Sequence, residues 1–237
     1  MKNDEISYLD ELIKDFPTPS SISPQEAFNQ IFYKYHALFN LNELIPVISQ
    51  KILKVLEKEK NEQNITGFIG LNLPILYFRL IKSFHAFLYE GILSNAGKFR
   101  STTDKNNGFV GFGGIKNRDF KFKFTGVTPD KIEECVIEAC NYLEDIATNP
   151  IENSMRFYQR FVLAHPFYDA NGRIGRLIVT LYLSRFNLVI DWGKVESNGK
   201  FMKKLNECHK RVEKVEDFEK YFSIPVSYIN RFIIKVS

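Results

Sequence analysis

His165-Pro166-Phe167-Tyr168-Asp169-Ala170-Asn171-Gly172-Arg173-Ile174-Gly175-Arg176 is the stretch whose reading decides the fold. Pro166 disfavours helical geometry at the residue before it and so ends a helix at His165. A run of helical period begins near Asn171, carrying Ile174, Leu177, Ile178, Leu181 and Tyr182 on one face. Ala170-Asn171-Gly172 therefore lies where a loop enters a helix. The first backbone N–H groups of a helix have no intrahelical acceptor and the dipole there is positive, which suits an anion. Arg173 and Arg176, three apart, share a face on which guanidinium forks can hold further phosphate oxygens. An imidazole, a carboxylate, a small-residue turn and two arginines in this order read as a triphosphate site beside a general base.

Outward from this stretch the dominant pattern is helical. Asn149-Pro150 opens the helix that delivers His165, with Ile151, Met155, Tyr158 and Val162 inward. Thr128-Pro129 opens another, with Ile132, Cys135, Val136, Ala139, Cys140 and Leu143 on one face. A long apolar helix spans roughly residues 74–93. Ser23-Pro24-Gln25-Glu26 has the form of a capping box, continued by Ala27, Ile31, Tyr35 and Leu38. Asn40 opens a further helix with Leu44, Ile48, Ile52 and Leu56, before a polar run over 57–66. Two more are expected near 197–213 and 215–234. Period-two runs are scarce, so the fold class is all-α with one short β-hairpin at about residues 108–114.

Composition bounds the function. A chain of 237 residues can hold one sizeable core, or a core with a small appendage. The net charge of +4 is mild and the basic residues are scattered, which argues against a nucleic-acid partner. Cys135, Cys140 and Cys208 are odd in number, and two share an apolar helical face; they read as reduced core thiols. No run approaches the length of a membrane span, and the first residues lack a signal-like apolar segment, so a cytoplasmic protein with no membrane partner is expected. His36, His85 and His209 have no Cys, His or acidic partner at metal-ligand spacing and are read as structural.

The stretch 165–176 resembles the signature of the Fic family, His-Pro-Phe-x-Asp/Glu-Gly-Asn-Gly-Arg-x-x-Arg. His165, Pro166, Phe167, Asp169, Asn171, Gly172, Arg173 and Arg176 match by identity; Ala170 stands where the family has Gly. The resemblance implies a Fic-type helical bundle that transfers AMP from ATP to a Ser, Thr or Tyr hydroxyl of a target protein. On that resemblance His165 is the base and Asp169 the Mg²⁺ ligand. Ala170, Asn171 and Gly172 form the phosphate cradle, Arg173 and Arg176 hold the outer phosphates, and Phe167 is the anchor of the loop. The family's Doc branch, which moves the γ-phosphate, carries Lys where Gly172 stands. A non-catalytic Fic fold would be expected to lack His165 or Asp169, and both are present.

A second stretch, Asn95 to Arg100 followed by Gly108 to Gly114, resembles the family's flap. Phe109, Val110, Gly111 and Phe112 would then dock an extended target segment by strand addition. The pattern covers roughly residues 67–225, leaving 1–66 as a helical extension and 226–237 as the end of the last helix. Many family members are restrained by a Glu in a Ser/Thr-x-x-x-Glu-Gly/Asn helix. Thr148-Asn149-Pro150-Ile151-Glu152-Asn153 fits that spacing, but it lies inside the core, where Pro150 already explains it as a helix start. Restraint by a separate antitoxin-like partner, or by some other device, is the expectation that follows.

Overall fold

Ser23 starts α1 (Pro24–Phe39) by accepting the Glu26 N–H on its hydroxyl at 3.2 Å, as the capping-box spacing requires. The computed structural model describes residues 23–39, 73–115, 122–144, 149–211 and 224–235. The helix expected from Asn40 to Leu56 and the polar run over 57–66 lie outside the described residues. The chain divides into two units, Met1–Phe99 and Arg100–Ser237.

In the first unit α1 packs on α2 (Leu73–Tyr89). Ala27 and Ile31 from one helix and Leu80, Ile81, Phe84 and Leu88 from the other are fully buried or nearly so. His85 has the structural role that the sequence suggests. Its Nδ1 accepts the Gly97 N–H at 2.9 Å and its ring stacks on Tyr89.

The second unit is built on three helices: α3 (Ile132–Asn141), α4 (Pro150–Ala164) and α5 (Asn171–Ser184). α4 lies between α3 and α5 and packs on both. Asn149 caps α4 by accepting the Ile151 N–H at 2.9 Å, with Pro150 in the first turn. The close approach of α4 and α5 depends on Gly175, where an added Cβ would lie 3.0 Å from the Tyr158 ring. The inward faces read from periodicity are buried except at Leu181, which is half-buried; they include Cys135 and Cys140, whose thiols burial pushes up and so leaves unreactive. α6 (Trp192–Ser197) and α7 (Lys200–Arg211) follow, and Trp192 and Phe201 close over Tyr158.

The all-α class holds: among the described residues, strands occur only in two short two-stranded sheets. The first is the expected hairpin, but it is wider than 108–114. β1 (Gly111–Ile115) pairs antiparallel with β2 (Phe122–Thr125), so Phe109 and Val110 precede the strand. The second sheet departs from expectation. β3 (Leu188–Ile190) pairs with β4 (Ile233–Lys235), in place of a helix running through residue 234. The described end of the chain, 224–235, is a short helix α8 (Val226–Ile229), a 3₁₀ turn and then β4. Pairing with β3 supplies the hydrogen bonds that Ile233 to Lys235 would otherwise have found in a helix, overriding local periodicity. The helix expected near 197–213 begins at Trp192 and breaks at Gly199, which has φ +66.

No helix among the described residues is long and apolar enough to cross a membrane.

Candidate active site

His165 ends α4 in a left-handed conformation, φ 50 and ψ 57, with its N–H still bonded to the Phe161 carbonyl at 3.1 Å. A non-glycine residue there costs roughly 1–2 kcal/mol and persists only where its surroundings fix it. Here they do. The guanidinium of Arg100 donates to the His165 carbonyl at 2.8 Å, and the Arg100 N–H donates to the Pro166 carbonyl at 3.0 Å.

The His165 Nδ1 lies 3.3 Å from the Val162 carbonyl oxygen. A carbonyl only accepts, so this contact puts the ring proton on Nδ1 and leaves the lone pair on Nε2. The Phe112 ring covers one face of the imidazole, and the edge of His209, from α7, meets both Phe112 and Phe124. Burial pushes the imidazole down to about 3. The Val162 hydrogen bond and the Asp169 carboxylate oppose the shift, while Arg100 and His209 add to it. Its pKa lies well below the ordinary histidine value of 6.5, so the group is neutral at pH 7.

Between the two helices the chain turns through Pro166 to Ala170. Phe167 is buried at the centre of this turn. Asn171 clamps it: Oδ1 accepts the Phe167 N–H at 3.0 Å, and Nδ2 donates to the Phe167 carbonyl at 2.8 Å. The Asn171 amide, assigned to the cradle by resemblance, is thus occupied in shaping the loop. Ala170 is left-handed, φ 60, which is the backbone condition that glycine meets without cost. Tyr168 donates its hydroxyl to Asp104 at 2.9 Å, tying the loop to the segment before the hairpin.

α5 then begins with the Ile174 N–H bonded to the Ala170 carbonyl at 2.8 Å, the first bond of the helix. Gly172 is half-buried, and nothing in the protein demands a glycine there: an added Cβ would meet only the Tyr158 hydroxyl, at an ordinary 3.6 Å. Arg173 Nη2 lies 3.6 Å from Asp169 Oδ2. Arg176 lies over the Trp192 ring and pairs with Glu196 of α6. Glu152, which fits the inhibitory spacing, pairs instead with Arg156 at 3.0 Å, one helical turn on.

The flap residues separate in the structure. Phe109 is 59% exposed, whereas Val110 and Gly111 are buried and Phe112 faces His165. Sequence reasoning missed Arg100 as a partner of the base and Glu196 as a partner of Arg176. Neither carries a local signal, since their partners lie tens of residues away. The second hairpin strand did carry one: Phe122 and Phe124 alternate with Lys123 and Thr125.

Residues 75–183 match the model of the Fic/DOC family. Over 66 residues the chain is 38% identical to protein adenylyltransferase fic-1 of Caenorhabditis briggsae, covering 27% of this chain and 13% of that protein. It is 36% identical to the Caenorhabditis elegans protein of the same name over the same share of each. The matched stretch is thus a small part of these relatives' length. Among solved structures, a Fic domain containing signaling protein from Bacteroides thetaiotaomicron aligns over 87% of this chain and 92% of its own, at 17% identity and TM-score 0.43. A fragment of Fic-1 from C. elegans aligns over 98% and 61%, at 18% identity and TM-score 0.45.

Proposed function

Residues 75–183 of this chain are a Fic/DOC family domain, and from that premise we propose that it transfers AMP from ATP to a Ser, Thr or Tyr hydroxyl of a target protein. The observation that carries the reading is the junction of α4 and α5. It presents a neutral imidazole with its lone pair on Nε2, next to a helix start bearing Arg173 and Arg176.

In this reading Nε2 takes the proton of the target hydroxyl as its oxygen attacks the α-phosphorus of ATP. The bond from the α-phosphorus to the bridging oxygen breaks, and pyrophosphate leaves with that oxygen. The hydroxyl approaches in the plane of the ring, where the lone pair points, and not through the face that Phe112 covers. The first-turn N–H groups of α5, at the positive end of the helix dipole, and the two guanidinium groups hold the departing phosphates. Gly172 lets a phosphate approach the backbone, which explains a glycine that packing does not require.

Asp169 suits a Mg²⁺ ion that takes its remaining ligands from phosphate and water. It is a single, partly buried carboxylate, and no group of three or more His, Cys, Asp or Glu side chains gathers among the described residues. Such an ion would neutralise charge on the phosphates. Keeping Gly at 172, where the Doc branch has Lys, favours AMP over γ-phosphate transfer.

The purified chain incubated with a lysate and ATP labelled at the α- or the γ-phosphate tests this. Protein-bound α-label supports AMP transfer. Protein-bound γ-label, or no protein-bound label, overturns it.

A further inference from the structure

Arg100 is 3% exposed, and its guanidinium has main-chain carbonyls as acceptors. Nε donates to His165 at 2.8 Å. Nη2 donates to Val127 at 2.8 Å and to Ala164 at 3.4 Å. Nη1 donates to Gly108. One planar group thus joins the end of α4, the segment before β1 and the segment after β2. Burial lowers the Arg100 pKa to about 10, which leaves it a cation at neutral pH.

Ala164 and His165 carry two of the last carbonyls of α4, which no helical N–H can reach, and a cation is the favourable cap at that end. Rotation of the peptide at His165 toward ordinary helical or extended geometry would swing its carbonyl off Nε. Gly126 keeps the assembly tight: an added Cβ there would lie 2.8 Å from Arg100 Nη2 and 3.0 Å from His165 Cβ. The side chains of Arg100 and His165 therefore converge on a spot that only a glycine can line.

We propose that Arg100 is the positioning residue of this site: it locks the left-handed backbone that aims His165, and it places a fixed positive charge beside the imidazole. The proposal rests on the reading of His165 as the base. The other charged or titratable groups acting on the imidazole are Asp169, which favours the imidazolium, and His209, which opposes it. Arg100 acts on the reaction through His165 and is not a phosphate ligand, because it is 3% exposed and four of its five guanidinium N–H groups are directed at main-chain carbonyls.

Three variants test it: Arg100→Lys, which keeps the charge but cannot bridge three segments; Arg100→Met, which keeps bulk without charge; and Gly126→Ala, which crowds the pair without removing a polar group. Each is measured for melting temperature, for kcat and KM of AMP transfer per folded molecule, and for the titration of His165 by histidine NMR. Arg100→Lys and Gly126→Ala are expected to lower kcat about 100-fold while KM for ATP stays within about twofold, since a misaimed base costs orientation and not nucleotide binding. Arg100→Met is expected to raise the His165 titration midpoint. A purely structural Arg100 would change the melting temperature alone. If the folded variants keep kcat within about threefold of wild type and His165 titrates as before, the proposal is overturned. Should the Arg100 variants fail to fold, Gly126→Ala decides it. A wild-type chain that transfers no AMP would sink the reading of function, while the titration, which needs no turnover, would still judge the role of Arg100.

Discussion

The Phe112 ring lies flat on the His165 imidazole, with 4.3 Å between ring centroids and 9° between planes. The hairpin thus supplies part of the burial that holds the imidazole down to about 3. A base that weak is a poor match to neutral pH, where an acceptor near the working value serves best. Exposing the ring, or bringing a polyphosphate beside it, favours the imidazolium and raises the value. Phe112→Ala is therefore expected to raise the His165 midpoint toward 6.5, and ATP should raise it in the wild type. Histidine NMR titration reads both. A midpoint that does not move in Phe112→Ala would show that the stack has no part in the shift.

The Arg176–Glu196 pair leads to a second expectation. An incoming outer phosphate must compete with Glu196 for the guanidinium, and Glu196 is 53% exposed, so the pair is worth at most about 1 kcal/mol. Glu196→Gln should tighten ATP binding about two- to fivefold. Glu152→Gly should leave ATP affinity unchanged and lower stability by roughly 1 kcal/mol, because its partner is Arg156 and it sits in the first turn of α4. Calorimetry on the two variants separates them; the reverse ranking would make Glu152 the competitor.

Ala170→Gly should stabilise the protein. The residue is left-handed at φ 60, and removing its Cβ relieves about 1 kcal/mol net of the added chain entropy. That corresponds to a rise of about 2–4 °C in melting temperature. A lower melting temperature in the variant would contradict the strain argument.

Two enclosed histidines, His209 buried and His165 half-buried, set an acid limit. The His165 value is lowered to about 3 and that of His209 to about 4, both from 6.5 and both chiefly by burial. Below 6.5 the unfolded chain takes up protons that the folded chain refuses. Stability is then fully present above about pH 6.5 and falls as pH drops toward 4 and 3. The melting temperature should decline between pH 6.5 and 4, and less steeply in His209→Gln. A flat profile over that range would contradict burial of neutral imidazoles.

The sequence spells out some of these features and hides others for physical reasons. The core helices are legible because each buries one face at a helical spacing, from Ile132 to Leu143 and from Ile151 to Val162. The loop is legible because Pro166, Ala170 and Gly172 restrict or free the backbone locally. β3 and β4 are hidden because three-residue strands are too short to show an alternation, and Ile229, Phe232 and Ile233 read equally well as a helix face. The partners of His165 are hidden because Arg100, Phe112 and His209 reach it only through tertiary packing. Asn171 shows the limit of carrying roles over by resemblance: its place in the motif says that it matters, and the structure shows it shaping the loop.

The central claim is that His165 performs the proton transfer while other groups hold the nucleotide. His165→Ala, measured by titration calorimetry with ATP and Mg²⁺ and by α-label transfer to protein, tests it most directly. Nucleotide affinity should stay within about threefold, because the proposed reading assigns it to Arg173, Arg176, the start of α5 and Mg²⁺ on Asp169. Transfer should fall about 10²–10⁴-fold. Transfer at the wild-type rate in this variant would contradict the account.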